Sequence, residues 1–249
     1  MGPIRNLRWW IAGLLALATA LNYLDRQTFP VLVGEIQKEI PLSHQQYGRL
    51  TEFNLADVGR NVTDADGSPP EPTPATQLWE NLDYFLNQVL PVAEEAGIRL
   101  ALHPDDPPLP ELLGQPRIII SNEALQRVVD LAPSPANGVC YCVGSLYPAG
   151  VDVIAGIRGL AKKTFFVHAR NVRGTATHFT ETWHDNGDID MPAVIRTLHE
   201  SGYHGTLRPD HAPSMAGESN ETPGYEMLGR LYAAGYLRGL MQAVQGRER

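Results

Sequence analysis

The chain of 249 residues carries 28 acidic and 20 basic side chains, which gives a formal net charge of -8 at pH 7. An acidic chain without a run of Lys and Arg is repelled by a phosphate backbone, so nucleic acid is not expected as a partner. A hydrophobic content of 43% is sufficient for one large core or two small ones. Length and composition therefore admit a single α/β enzyme domain.

An uncharged apolar stretch, WWIAGLLALATALNYL, occupies residues 9–24 and follows Arg5 and Arg8. It falls just short of the roughly 20 residues that span a bilayer, a gap that helix tilt or membrane thinning can close. We expect a single membrane-spanning helix here. A cleaved signal peptide and a buried soluble helix are the alternatives.

Residues 57–76 read DVGRNVTDADGSPPEPTPAT, in which the prolines are too closely spaced for a helix or a central strand. This composition is typical of a linker or a long loop. The sequence therefore predicts three parts: an N-terminal segment at 1–50, a linker at 51–76 and a C-terminal region at 77–249.

Helical and strand-like patterns alternate in the C-terminal region. Apolar residues recur at helical spacing over 78–96, and Gly97 follows where a helix would end. Short apolar runs typical of buried parallel strands occupy residues 98–103, 138–143, 164–169 and 205–209. Candidate helices occupy residues 122–131, 151–162, 191–201 and 223–244. The alternation predicts an α/β fold, and the lack of a glycine-rich phosphate loop after any strand favours a barrel over a doubly wound sheet.

Side chains of metal-binding type stand at or just past the end of each predicted strand: His103, Cys142, His168 and Asp210. The carboxyl ends of the strands form the catalytic rim of a barrel. Two imidazoles, a thiolate and a carboxylate together suit a divalent transition metal. Taken singly, each histidine is explained as a hydrogen-bonded core or rim residue, and the cysteine as inert packing. Their occurrence at four successive strand ends predicts one metal site.

The two cysteines, Cys140 and Cys142, lie two residues apart on one predicted strand. Their side chains project in parallel from the same face, which is unsuited to a disulfide between them. Cys142 is nearer the carboxyl end of the strand, and we take it as the metal ligand for that reason. Asp105 and Asp106, in the HPDDPP loop, are either functional carboxylates or turn-capping residues.

Six blocks in the C-terminal region occur together and in order: LWENLDYFLNQVLPVAEEAGIRLALHPDDPP, SPANGVCYCVGSL, FFVHARNVRG, HDNGDIDM, GYHGTLRPDHAP and PGYEMLGRLYAAGYLRGL. With them, residues 77–245 resemble the mannonate dehydratase family, and weaker similarity begins at residue 51. The resemblance implies a xylose-isomerase-like TIM barrel that removes water from D-mannonate to give 2-keto-3-deoxy-D-gluconate. It also implies Mn²⁺ or Fe²⁺ as the cofactor.

The resemblance assigns roles to individual residues. It implies the same four metal ligands that the strand ends predict, and the GSL after Cys142 supports that cysteine over Cys140. His211 and Tyr225 resemble the proton-transfer pair of the family, without an assigned direction of transfer. Arg170, with its neighbour Asn171, is expected to bind the substrate.

A second resemblance covers the N-terminal segment. Residues 22–50, NYLDRQTFPVLVGEIQKEIPLSHQQYGRL, resemble the first helix and following loop of a major facilitator transporter for organic anions including hexuronates. Such a transporter needs many spanning helices, whereas no apolar stretch of spanning length follows residue 50. The resemblance therefore implies, at most, a membrane anchor at residues 9–24.

The C-terminal region contains only about four βα units, half of a complete barrel. A half barrel exposes two sheet edges and part of its apolar interior, so we expect it to form a homo-oligomer. The sequence leaves three functions open: a lyase, another isomerase or epimerase on the same barrel type, and an inactive membrane-tethered remnant. For the enzyme-like region we expect a cytoplasmic location.

Overall fold

The computed structural model describes residues 52–58, 71–215, 218–219 and 221–246. The expected membrane helix at 9–24 and the rest of the transporter-like segment at 1–50 lie outside these residues. Within the described ranges, every helix falls short of the combined length and hydropathy that a bilayer crossing requires.

Strands and helices alternate along most of the described chain. The strands are β1 (Glu52–Asn54), β2 (Leu100–Leu102), β3 (Glu111–Leu112), β4 (Gln115–Pro116), β5 (Asn137–Cys142), β6 (Thr164–Ala169), β7 (Asn171–Thr175), β8 (His178–Thr182) and β9 (Thr206–Pro209). The helices are α1 (Ala75–Glu95), α2 (Asn122–Leu131), α3 (Val143–Leu146), α4 (Val153–Leu160), α5 (Met191–Glu200) and α6 (Met227–Gln245). Short 3₁₀ turns occupy Leu55–Asp57, Tyr147–Ala149 and Ala161–Lys163.

Four strands form a parallel sheet in the order β2-β5-β6-β9. These are the four strands that the sequence predicts, and the α/β fold with a partial parallel barrel is confirmed. The register places Cys142 beside His168, and His168 beside Arg208. The carboxyl ends of β5, β6 and β9 are therefore level with one another.

A second sheet is antiparallel and has the order β1-β8-β7. The sequence analysis does not predict its β7-β8 hairpin. β1 lies within the segment predicted as a linker, so part of residues 51–76 is paired into this sheet. Phe53 on β1 packs against Phe179 on β8, with ring centroids 5.4 Å apart.

Side-chain caps fix the start of three helices that cover the parallel sheet. Ser121, Asp152 and Asp190 each accept a hydrogen bond from the backbone N–H three residues ahead, at the first turns of α2, α4 and α5. Each cap satisfies a donor that the helix itself leaves unpaired. Polar residues that would disfavour a helix interior therefore define these helix boundaries.

The alternation of side chains along β5 separates the core from the barrel interior. The Tyr141 hydroxyl donates to Asn122 on α2, so Tyr141 points toward the helices. Successive strand residues point to opposite faces, so Cys140 and Cys142 point to the interior of the partial barrel. All six residues of β5 are buried.

Truncation of a core side chain on α2 tests this packing. Leu125 is fully buried, so we expect Leu125→Ala to lower the free energy of unfolding by about 2–5 kcal/mol. Urea denaturation followed by circular dichroism measures the change. Gln126→Ala, at the exposed neighbouring position, is the control and should change stability by less than about 0.5 kcal/mol. Equal effects of the two substitutions would contradict the assigned core face of α2.

Candidate metal centre and active site

Three predicted metal ligands lie together at the carboxyl edge of the parallel sheet. His103 directly follows β2, Cys142 ends β5, and His168 is the penultimate residue of β6. One potential ligand atom of each lies within 4.8 Å of those of the other two. Cys142 is fully buried and His168 nearly so. The parallel sheet therefore holds two imidazoles and one thiol around a common point.

Asp210 lies beside this cluster, on the first residue after β9. Its carboxylate is buried, and its Oδ2 atom is 3.5 Å from Nδ1 of His168. The Oδ1 atom lies 3.4 Å from Nη2 of Arg208. Asp210 thus contacts the cluster through His168.

The side-chain contacts leave nitrogen and sulfur atoms available to a metal ion. Nδ1 of His103 is 2.6 Å from the carbonyl oxygen of Pro104, which can only accept, so Nδ1 carries the proton and Nε2 remains free to coordinate. Nδ1 of His168 is buried and makes no hydrogen bond to the described residues, although it lies 3.5 Å from Asp210 Oδ2. With a thiol and a carboxylate, this donor set fits a divalent transition metal.

The pKa shifts in the cluster follow from burial and from neighbouring charges. Burial lowers the pKa of His103, and His168 lowers it further. Burial also acts to lower the pKa of His168, but Asp210 and Cys142 outweigh it and raise this pKa to about 9. Burial acts to raise the pKa of Asp210, but His168 and nearby positive charges hold it well below its ordinary value. His103 and Asp210 therefore favour the protonation states that coordinate metals.

Arg170 forms the centre of a second polar cluster. Its side chain is 1% exposed, and its Nη1 atom lies 2.8 Å from Asp106 Oδ2 and 3.0 Å from Glu181 Oε1. Its Nη2 atom donates to the hydroxyl of Ser145 at 3.3 Å. Ser145 in turn donates to the Cys142 thiol at 3.0 Å. Arg170, predicted as a substrate contact, is therefore engaged by two carboxylates of the protein and linked to the metal cluster.

His211 and Tyr225, the predicted proton-transfer pair, lie in contact. Nε2 of His211 is 2.6 Å from the Tyr225 hydroxyl, and Nδ1 contacts the Glu181 carboxylate. Nε2 is also 4.0 Å from Asp210 Oδ2, which places the pair beside the metal cluster. The structure thus brings a potential acid and base next to the potential metal ligands.

Asn171 has contacts that differ from the expected substrate binding. Its buried amide donates to the carbonyl oxygens of His184 and Ile189, and its side-chain oxygen accepts from the backbone N–H groups of Val172 and Ile189. Both donors and both acceptor positions of the amide are therefore used. Asn171 fixes the loop after β8 to the start of β7.

A cavity of about 280 Å³ opens beside the second cluster. Its lining includes Asp106, Arg170, Glu181 and His211, together with Phe53. Glu181 is not predicted from the sequence, because a carboxylate on an irregular polar strand has no distinguishing signal. The sequence leaves Asp106 open between a functional and a capping role, and the ion pair with Arg170 places this residue at the site.

Removal of the buried cation tests the ion pairs of Arg170. Arg170→Met leaves the carboxylates of Asp106 and Glu181 facing each other without a counter-charge. We expect a loss of about 3–5 kcal/mol in the free energy of unfolding. Arg173→Met is the control, because Arg173 is exposed and its pair with Asp188 is worth at most about 1 kcal/mol. Urea denaturation measures both, and similar small losses would contradict the buried network.

Comparisons with known proteins agree with this geometry. The sequence model of the D-mannonate dehydratase (UxuA) family matches residues 71–249. Mannonate dehydratase of Streptococcus suis strain 05ZYH33 is 44% identical over 172 residues, which cover 67% of this chain and 46% of that protein. The corresponding protein of Oceanobacillus iheyensis is 42% identical and is covered to 49%.

Solved structures of a mannonate dehydratase and of a xylose isomerase domain protein are also similar to this chain. The crystal structure of mannonate dehydratase from Streptococcus suis serotype 2 has a TM-score of 0.67 at 42% identity, over 70% of this chain and 51% of that one. A xylose isomerase domain protein from Alicyclobacillus acidocaldarius has a TM-score of 0.55 over 72% of this chain and 63% of that one, and at 18% identity it shows the fold alone. The chain spans about half the length of the curated relatives it matches. The chain belongs to the D-mannonate dehydratase family.

Proposed function

We propose that this chain carries the metal-binding half of a mannonate dehydratase active site and takes part in the conversion of D-mannonate to 2-keto-3-deoxy-D-gluconate. The observation that carries the proposal is the position of the His211–Tyr225 pair beside the cluster of His103, Cys142 and His168. Family membership supports the same reaction.

We propose His103, Cys142, His168 and Asp210 as the ligands of one Mn²⁺ or Fe²⁺ ion. The mixed nitrogen, sulfur and oxygen set supports a transition metal over Ca²⁺ or Mg²⁺, which prefer oxygen ligands. When bound, the ion supplies Lewis acidity that polarises a substrate oxygen and stabilises charge on the acid.

The His211–Tyr225 pair suits the proton movements of the elimination. The reaction removes a proton from carbon 2, next to the carboxylate, and releases the hydroxyl group from carbon 3. A histidine can accept or donate a proton near neutral pH, and a tyrosine hydroxyl in contact with it can carry the complementary proton. The distance of 2.6 Å between Nε2 and the hydroxyl oxygen supports direct exchange within the pair.

Arg170 and Asn171 support the site in different ways. Arg170 lines the cavity beside His211, and we propose that its guanidinium forms the wall that the substrate contacts. Its charge is already balanced by Asp106 and Glu181, so its position is fixed before a substrate binds. Asn171 supports the site indirectly, because its amide hydrogen-bonds to the loop after β8 and holds it in place.

The other functions that the sequence leaves open receive less support. Epimerases and isomerases of the same barrel type are 16–18% identical to this chain, a level that supports the shared fold only. The membrane-tethered remnant depends on residues 9–24, and the family match begins at residue 71. Membrane contact through residues 9–24, and a cytoplasmic location of residues 77–249, stay predictions from sequence.

Metal content and turnover test the proposed function. We expect the purified chain to bind Mn²⁺ and to form the keto-deoxy acid from D-mannonate. The double substitution His103→Ala and Cys142→Ala should abolish the bound metal, measured by elemental analysis after dialysis. Cys140→Ala is the matched control, because Cys140 lies on the same face of β5 but farther from the strand end, and it should retain the metal.

Three results would speak against this function. Metal that persists in the double variant would remove these residues as ligands. Native chain with neither metal nor product would remove the lyase, and metal without product would favour the inactive remnant.

We further propose that the chain self-associates through the open edges of its parallel sheet. Among the described residues, β2 and β9 each pair on one side only, and both are edge strands. Unpaired strand edges are templates for another chain. Large apolar side chains are also exposed on α1 and α6, including Tyr84 at 70%, Phe85 at 50% and Leu231 at 59%.

Sedimentation analysis tests the self-association. The backbone N–H of Leu100 bonds to Ala136, toward β5, so the N–H of the next residue, Ala101, points to the open edge. Ala101→Pro removes this outward donor without breaking the pairing to β5. We expect a dimer or larger assembly for the native chain and a smaller species for Ala101→Pro. Ala101→Thr, which keeps the donor, should behave as the native chain. A native chain that is monomeric at all concentrations would contradict the proposal.

A further inference from the structure

Glu181 has a largely buried carboxylate that the proposed reaction does not yet use. It lies on β8, and its side chain is 9% exposed. A single oxygen atom, Oε1, lies 3.0 Å from Nη1 of Arg170 and also contacts Nδ1 of His211. One carboxylate therefore binds both the fixed cation and one member of the acid–base pair.

The position of Glu181 is set by a sheet. β8 pairs with β7 on one side, where Val172 is opposite Glu181, and with β1 on the other, where Glu52 is opposite Thr180. The neighbouring Phe179 is buried against Phe53. Among the described residues, Glu181 is thus paired with β7 and directly follows the last residue of β8 that pairs with β1, so the sheet sets where its carboxylate lies.

The contacts of Glu181 decide which nitrogen of His211 carries the proton. An ionised carboxylate oxygen only accepts, so its contact with Nδ1 requires a proton on Nδ1. A neutral imidazole carries one proton, which leaves Nε2 as the acceptor toward the Tyr225 hydroxyl at 2.6 Å.

A second donor near the ring makes the opposite tautomer available. Nη1 of Arg170 is 3.2 Å from Nδ1 of His211. Without Glu181, this N–H could donate to an unprotonated Nδ1, and the proton of the ring would then lie on Nε2. Glu181 and Arg170 therefore favour opposite tautomers of the same ring.

We propose that Glu181 is a positioning residue that holds the proton of His211 on Nδ1. This keeps Nε2 as the basic nitrogen that faces Tyr225 and the substrate. The catalytic meaning of this arrangement rests on the proposed function, whereas the tautomer itself does not. A base in the wrong tautomer cannot accept the proton it must take, even when the geometry of the site is intact.

Nitrogen NMR of the full chain tests the tautomer without any turnover. The chain is labelled with ¹⁵N-histidine and kept metal-free with EDTA, in a buffer alkaline enough for a neutral ring. Comparison with the His211→Gln spectrum identifies the signals of His211 among the eight histidines. In the native chain we expect a protonated shift for Nδ1 and an unprotonated shift for Nε2. In Glu181→Ala we expect the two shifts to exchange.

Two further variants isolate the role of the carboxylate. Glu181→Gln keeps an accepting oxygen at the same place and should keep the native tautomer. Thr180→Ala changes the exposed neighbour on β8 and should leave both shifts unchanged. A native His211 with its proton on Nε2 would overturn the proposal, even if Glu181→Ala did not fold. A folded Glu181→Ala with native shifts would overturn it as well. A lack of turnover would affect only the proposed function.

Discussion

The parallel register of β5, β6 and β9 is the constraint on which the site depends. It sets Cys142 level with His168, and it brings Asp210, at the end of β9, within reach of the same imidazole. A shift of one residue in this pairing would turn each of these side chains to the opposite face of the sheet. The hydrophobic contacts between β5, β6 and the helices therefore fix the positions of the potential metal ligands.

Buried charge connects the cluster of His103, Cys142 and His168 to the His211–Tyr225 pair. Arg170 is almost completely buried, which is costly unless carboxylates and hydrogen bonds compensate. This compensation comes from Asp106, Glu181 and Ser145, which all contact Arg170. Glu181 also contacts His211, and Ser145 also contacts Cys142. Displacement of either carboxylate would leave the buried Arg170 charge short of a partner, which is energetically costly.

The sequence predicts the parts of this protein that depend on local pattern. Apolar periodicity locates the four parallel strands, and the polar residues at their ends locate the cluster of His103, Cys142 and His168. Glu181 could not be found in this way, because its role arises only when an antiparallel hairpin brings it to Arg170 and His211. Asn171 is a prediction of the opposite kind. Its position next to Arg170 in the sequence predicts substrate binding, but its amide hydrogen-bonds to backbone groups of a loop 13 to 18 residues away.

Among the described residues, β2, β5, β6 and β9 present the proposed metal ligands at their carboxyl ends, and the proposed acid–base pair follows β9. The strands β2 and β9 each have one unpaired edge within this part of the chain. The central claim is that two imidazoles and one thiolate bind the same ion. X-ray absorption spectroscopy of the manganese-loaded chain tests this claim most directly. Our account predicts one sulfur scatterer in the first shell, and its loss in Cys142→Ser. A first shell of nitrogen and oxygen alone in the native chain would contradict it.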